Sequence, residues 1–119
     1  MKQSAVLLLC LVACLSVSAP ARAIGAIAVD DDQKYTAPAW GFAVGYPTRD
    51  AAEKRALAYC QEHSNKCRAV VWFETCGAYA YSRETYGIGW GATKDDARNK
   101  ALSSCGSGSC KVLVAECEG

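Results

Sequence analysis

The chain contains one sequence pattern twice, 45 residues apart, and this repeat limits its fold more than any other feature. Thr48–Cys60 reads TRDAAEKRALAYC and Thr93–Cys105 reads TKDDARNKALSSC, so the threonine, aspartate, alanine and cysteine positions coincide. In each copy the threonine is a suitable helix N-cap, acids follow in the first turn, and alanines recur four residues apart on one face. Each copy therefore predicts a short helix.

Three strand-like stretches accompany each helix in the same order. They are Gly25–Ala28 with Gly77–Ala80, Trp40–Gly45 with Tyr86–Gly91, and Cys67–Val71 with Cys110–Val114. Neither copy is large enough to bury a core alone. The sequence therefore predicts an α+β fold with an antiparallel-rich sheet and two short helices. Two ββαβ repeats, residues 25–76 and 77–119, would pack about a pseudo-two-fold axis as a single duplicated domain.

The start of the chain, MKQSAVLLLCLVACLSVSAPARA, has the layout of a secretory signal peptide, with a lysine, a short apolar run and an Ala-x-Ala ending. Residues 1–23 are predicted to be removed, which leaves residues 24–119 in the periplasm or outside the cell. The apolar run is too short for a comfortable membrane span. Leu11–Cys14 also fits a bacterial lipoprotein signal that would place a lipid anchor on Cys14, but the Ala-x-Ala ending favours ordinary cleavage.

Six of the eight cysteines follow the signal peptide, and an even number in a small exported domain predicts a disulfide framework. If equivalent cysteines play equivalent roles, the pairs are Cys60 with Cys67, Cys105 with Cys110, and Cys76 with Cys117. The third pair would join the two copies across the axis. No spacing is C-x-x-C and His63 is the only histidine, so a zinc site lacks its usual ligands.

The strands alternate large residues with glycine or alanine, so each sheet would have one bulky and one bare face. We expect the bulky face to fill the space under the helix alanines, because so small a domain cannot leave many aromatic rings in water. The bare face would then be free for a protein partner or a second copy, through Gly41, Ala43, Gly87 and Gly89. In the alternative packing, the bare face lets the helices approach closely.

Polar candidates for a site are few. Asp30, Asp31 and Asp32 do not have the spacing of a calcium loop and are interpreted as an acidic hairpin loop that could contact a partner. His63 has neither a nucleophile nor an orienting acid at a recognisable spacing, which favours a surface-loop residue. Four glutamates, Glu74, Glu84, Glu116 and Glu118, are interpreted as charged strand ends rather than as an acid–base pair.

No catalytic residue, cofactor or metal ligand is therefore predicted. The three tryptophans, Trp40, Trp72 and Trp90, are more typical of the core than of a binding surface in so small a domain. Trp40 and Trp90 are nevertheless kept as candidates for partner contact. Without Lys2 and Arg22 the basic count falls from 13 to 11 against 12 acidic residues, so the charge gives no case for binding nucleic acid.

The glycine-rich strands with tryptophan, both threonine-capped helices and all six cysteines resemble the domain of unknown function 4189 family. This similarity covers essentially the whole predicted mature chain, and the long acidic hairpin Val29–Ala39 departs from the family pattern. The resemblance implies a periplasmic or secreted protein. Some relatives are encoded beside toxic effectors delivered between competing bacteria, which implies an immunity role.

Three functions follow as hypotheses. The leading one is a non-enzymatic protein-binding module, an immunity or inhibitor protein that neutralises a bacterial toxin or hydrolase. The second is a cell-envelope hydrolase of unassigned chemistry. The third is a structural or stress protein of the envelope that self-associates as a homo-oligomer.

Overall fold

The computed structural model describes residues 23–32 and 37–119. The predicted signal peptide lies outside the described residues except for Ala23, and Cys14 lies outside them too. The described ranges form β1 (Ile24–Asp30), β2 (Ala39–Tyr46), α1 (Arg49–Gln61), β3 (Arg68–Phe73), β4 (Cys76–Tyr81), β5 (Tyr86–Gly91), α2 (Lys94–Cys105) and β6 (Lys111–Cys117). Neither of the two helices in these ranges has the length and apolar character needed to cross a membrane.

Both helices begin where the sequence predicts, because each has a threonine N-cap. The Thr48 side chain accepts a hydrogen bond from the Ala51 N–H at 3.1 Å, and Thr93 accepts one from the Asp96 N–H at 3.0 Å. Helix α2 ends at Gly106, whose positive φ of 80° is a conformation that glycine adopts without a steric penalty.

The strands form two separate antiparallel sheets of three strands each. The first sheet has the order β2-β1-β3 and the second has the order β5-β4-β6. Ile27 on the central strand of the first sheet lies between Phe42 and Val71. Tyr79 on the central strand of the second sheet lies between Ile88 and Val114. The predicted α+β class is confirmed, although a pair of sheets replaces the expected single sheet.

The two sheets pack against each other through their bulky faces. One buried cluster contains side chains from both sheets: Ile27, Val29, Val71, Phe73, Tyr79 and Val114. Because both halves offer a bulky face, each covers the other, and the aromatic and branched side chains interleave as in a β-sandwich.

The helices cover the outer, bare faces of the sheets. Ala52 and Ala56 of α1 pack on Ala26 and Ala28 of β1. In the second half the same kind of cluster joins α2 to β4 through Ala97, Ala101, Ala78 and Ala80. The layers therefore follow the order helix, sheet, sheet, helix.

The expectation that the bulky faces lie under the helices is wrong. The glycines of β2 and β5 touch the helix backbones: a Cβ built on Gly41 would lie 2.6 Å from the Ala56 carbonyl oxygen. A Cβ on Gly87 or on Gly89 would come closer than 3.0 Å to backbone atoms of α2. The glycines are needed because alanine-faced helices sit so near these sheets that no side chain fits between them.

Three disulfides stabilise this arrangement, and their pairs are those that the repeat predicts. Cys60–Cys67 and Cys105–Cys110 join residues 7 and 5 positions apart, and each closes the loop after a helix. Cys76–Cys117 spans 41 positions. Cys76 begins β4 and lies opposite Cys117 on β6, so this bond lies within the second sheet. The expectation that it joins the two copies across an axis is therefore wrong.

Candidate functional site

The glycine and alanine residues proposed as a docking face are not available to a partner. Gly41 and Ala43 lie beneath α1, while Gly87 and Gly89 lie beneath α2. The surfaces left open to a partner are the polar end of the β1–β2 hairpin and the aromatic side chains that neither helix covers.

Asp30 and Asp32 hold the hairpin end to the loop that follows α1. The Asp30 carboxylate is buried and accepts hydrogen bonds from the Ser64 hydroxyl and, at 3.0 Å, from the Asp32 N–H. These bonds, that from Ser64 above all, hold the pKa of Asp30 below its usual range. Asp32 forms an ion pair with Lys66 at 3.4 Å. Both carboxylates thus serve internal contacts.

We expect the Asp30–Ser64 bond to make stability depend on pH. A carboxyl whose pKa is lowered by folding stabilises the fold above its unfolded pKa of about 3.9, and this stability is lost as the pH falls through the folded pKa. Ser64→Ala should therefore lower the free energy of unfolding by about 2 kcal/mol at pH 7 and by much less at pH 2. Urea unfolding at both pH values measures the difference.

The control for Ser64→Ala is Ser104→Ala, which changes an exposed serine on α2. It should give the same small change at both pH values. An equal loss for Ser64→Ala at pH 7 and pH 2 would show that the carboxylate is not involved.

Asp31 joins the two sheets. Its carboxylate forms an ion pair with Arg68 of β3 at 2.6 Å and accepts a hydrogen bond from the Tyr79 hydroxyl of β4 at 3.2 Å. Burial, followed by the nearby Asp31 charge, raises the pKa of Tyr79, and the bond to Asp31 raises the pKa of Arg68. The guanidinium of Arg68 also lies 5.2 Å from the centre of the Tyr86 ring. Asp31 therefore has partners within the chain on both sheets, and its predicted role in partner contact stays a prediction.

The other titratable candidates are spread over the molecule. Glu118 accepts a hydrogen bond from the N–H of Gly45 at 2.8 Å, next to a bulge where Gly45 has a φ of 84°. Glu116 lies opposite Gly77 on the second sheet. Within residues 23–32 and 37–119, no group of three or more histidine, cysteine, aspartate or glutamate side chains is placed to hold a metal ion.

One open surface lies where β3 of the first sheet meets β5 of the second. A cleft of about 350 Å³ is flanked by Trp72 and Trp90 and has Glu74 and Thr75 at its edge. Trp90 is 57% exposed and Trp72 is 37% exposed. The Arg49 guanidinium lies 5.3 Å from the centre of the Trp72 ring. We call this surface, together with Arg49, the aromatic cleft.

A second open surface follows β2, which is the outer strand of the first sheet. This groove of about 630 Å³ is lined by residues of β2 and by Tyr59, Glu62 and His63 at the end of α1. Trp40, 37% exposed, lies in it and stacks on Phe42 with ring centres 6.1 Å apart. We call it the β2 groove.

Trp90 and Trp40 were candidates from the sequence, but the position of Trp72 beside Trp90 was not predicted. The alternation Val71-Trp72-Phe73 indicates that Trp72 is exposed. Val71 and Phe73 face the core, so Trp72 points to the helix side of β3. A helix that contacts its sheet through alanine cannot cover a tryptophan on an outer strand. That consequence needs the sheet order, which the repeat did not specify.

Comparison with known proteins gives relatives without a described activity. Protein Rv1269c of Mycobacterium tuberculosis (strain ATCC 25618 / H37Rv) and Protein Mb1300c of Mycobacterium bovis are each 38% identical to this chain over 69 residues. The matched region is 58% of this chain and 54% of each relative, so the chain spans about half the length of the curated relatives it matches. No solved structure matches the chain.

The family comparison covers the whole described fold. Residues 24–117, from the first residue of β1 to the last residue of β6, match the family described as Domain of unknown function (DUF4189). The resemblance seen in the strands, helices and cysteines is therefore confirmed, and the chain belongs to the DUF4189 family.

Proposed function

We propose that this chain is an exported, non-enzymatic protein-binding module that neutralises a toxin or hydrolase in the bacterial envelope. The observation that carries the proposal is the aromatic cleft. Trp72 and Trp90 flank the cleft and the Arg49 guanidinium lies over the Trp72 ring, and tryptophan and arginine are among the residue types that contribute most to protein–protein binding.

The rigidity of the strands and disulfide around the aromatic cleft supports a role as an inhibitor. Trp72 and Trp90 stand on strands rather than on loops, and the Cys76–Cys117 bond lies beside the cleft, since Cys76 lines it. A surface that is already ordered loses little conformational entropy on binding. Three disulfides also suit an oxidising compartment, which agrees with removal of residues 1–23 during export to the periplasm or beyond.

We also propose that the two halves of the fold arose by duplication of one ββαβ unit. Both halves have the element order ββαβ, and both place their first strand at the centre of the sheet. We infer that the halves are copies related by a pseudo-two-fold axis between β1 and β4. In that arrangement the first copy presents Trp72 to the cleft while the second presents Trp90.

The first test asks whether a partner exists. The tagged protein is used to capture proteins from the envelope fraction of the native cell, and a cell lacking the gene is exposed to competing bacteria. We expect one protein to be retained at a fixed ratio and the deletion cell to be more sensitive. Retention of no protein, together with unchanged sensitivity, would contradict the proposal.

The second test asks whether the aromatic cleft makes the contact. Trp90→Ala should weaken binding of the captured partner about 30-fold, because the ring is an exposed anchor on a rigid strand. Isothermal titration calorimetry measures the dissociation constant per site.

The matched control is a pair of tryptophans with equal exposure, each 37%: Trp72 in the cleft and Trp40 in the β2 groove. Trp72→Ala should weaken binding by at least ten-fold, and Trp40→Ala should change it less than three-fold. The reverse order would move the docking site to the β2 groove.

A further inference from the structure

The outer edge of β2 lacks the features that keep a sheet edge from pairing with another chain. The strand pairs with β1 on one side only. Its sequence, AWGFAVGY, contains no charged residue and no proline. At one end, the carboxylate of Glu118 already binds the Gly45 N–H, so the edge left for pairing is the stretch from Ala39 to Val44.

Helix α1 presents a charged face above this edge. Arg55, Tyr59 and Glu62 are spaced four and three residues apart and thus lie on one side of the helix. Tyr59 and Glu62 line the β2 groove. The Arg55 guanidinium donates a hydrogen bond to the Tyr59 hydroxyl at 3.0 Å and lies over its ring. A basic group and an acidic group therefore flank the groove, one on each side of Tyr59.

We propose that a second copy of this chain covers the β2 groove, with β2 paired antiparallel to its own copy. A two-fold axis at Phe42 places Gly41 opposite Ala43 of the partner subunit and Trp40 opposite Val44 of the partner subunit. Small residues then face small ones and large residues face large ones, so both surfaces of the sheet continue across the seam.

The charged side chains of α1 are placed so that the two-fold axis brings opposite charges together. The midpoint of the segment from Arg55 to Glu62 falls between Ala58 and Tyr59. The Tyr59 Cβ lies above Gly41, which is next to the axis, so this midpoint lies close to the axis too. The same two-fold operation therefore brings Arg55 beside Glu62 of the partner subunit, and it does so twice. Since α1 lies over β1 and β2, and strands are about 4.8 Å apart, the two copies of α1 would be roughly 10 Å apart, a normal helix packing distance.

The other edge strands show why β2 is favoured. Unlike β2, two of them carry charged residues that disfavour pairing, Arg68 on β3 and Lys111 and Glu116 on β6. β5 is also uncharged, reading YGIGWG. Forty-five residues after Arg55, Tyr59 and Glu62, however, the chain has Lys100, Ser104 and Ser107. Pairing of β5 with its own copy would bring together two lysines and no acid, so of the two uncharged edge strands β2 is the one that is self-complementary in charge.

Reversing and swapping the charges tests the dimer. The full chain, with its disulfides formed, is studied by sedimentation equilibrium over a range of concentrations. The wild type should be a dimer. Glu62→Arg and Arg55→Glu should each raise the dimer dissociation constant at least ten-fold, because every single change alters both symmetric pairs. The double variant Arg55→Glu/Glu62→Arg should return it to within three-fold of the wild type.

Lys100→Glu on α2 serves as the control and should leave the constant unchanged. All three positions are exposed, so equal thermal unfolding midpoints check that the variants are folded. A wild type that stays monomeric at every concentration would overturn the proposal. So would a double variant whose dimer dissociation constant is raised by the product of the two single effects. The aromatic cleft is on the other side of the sandwich, so either result leaves the proposed function standing.

Discussion

Gly87→Ala is expected to cost about 3 kcal/mol of the free energy of unfolding, although it adds a single methyl group. The new Cβ would lie 2.8 Å from the Cys105 Cα and still closer to the Ala101 carbonyl oxygen and the Cys105 nitrogen. All three atoms belong to the backbone of α2, so no side chain can rotate away and the helix must move off the sheet. Such a loss lowers the midpoint of thermal unfolding by roughly 15 °C in a domain of this size.

Helix α2 has little freedom to make that movement. The Thr85 hydroxyl donates a hydrogen bond to the Cys105 carbonyl oxygen at 2.9 Å, and Cys105 is bonded to Cys110. The control is Gly108→Ala, at an exposed glycine whose added Cβ would meet no atom within 4 Å. It should change the unfolding free energy by less than about 0.5 kcal/mol. Equal effects of the two variants would show that α2 does not rest on β5.

Removal of the Cys76–Cys117 bond by a double change to alanine is expected to cost about 4 kcal/mol. Its cysteines are 41 positions apart, so the bond restricts a large part of the unfolded chain. The same double change at Cys105 and Cys110, only 5 positions apart, should cost about 2 kcal/mol. Urea unfolding of the oxidised proteins gives both values.

The two pairs are well matched for this comparison. Cys76 and Cys105 are each 3% exposed and belong to the same buried cluster, so the packing lost on replacement by alanine is similar. The difference then reports the length of chain that each bond closes. If both variants lost the same free energy, the stabilisation by Cys76–Cys117 would have to come from its local contacts.

The sequence predicted the parts of this fold that depend on neighbouring residues. Thr48 and Thr93 mark the helix starts because an N-cap bonds to a residue three positions away. The alternation of bulky and small residues predicted the two faces of β1, β2, β4 and β5 over most of their length, since that alternation is a property of extended backbone. Tyr46 is the exception, because the bulge at Gly45 turns it toward the helix side. The cysteine pairs followed because the repeat relates their positions.

The packing of those faces could not be read in the same way. Alanine on a helix packs equally well under bulky side chains or against bare backbone, and the choice depends on what covers the opposite face. Here the bulky face of the other half does so, through residues such as Ile27, Phe73 and Tyr79. The aromatic rings are indeed kept largely from water, but by a second sheet rather than by a helix.

The candidate site was missed in part for the same reason. Trp90 was a candidate from the sequence, whereas Trp72 joins it only because β3 and β5 lie side by side at one edge of the sandwich. The three aspartates resembled a free acidic loop, yet their partners Ser64, Lys66 and Arg68 all come from the segment after α1. Contacts between distant parts of the chain decide both cases.

Nuclear Overhauser contacts in the oxidised protein test the central claim, that the bulky faces meet each other while each helix covers a bare face. We expect contacts between the Tyr79 ring and the methyl groups of Ile27 or Val29, and between the Hα protons of Gly87 and the Hα proton of Cys105. Contacts from the Phe42 ring or the Tyr79 ring to the alanine methyl groups of the helices, such as Ala56 or Ala101, would contradict it, because they would place the bulky faces under the helices.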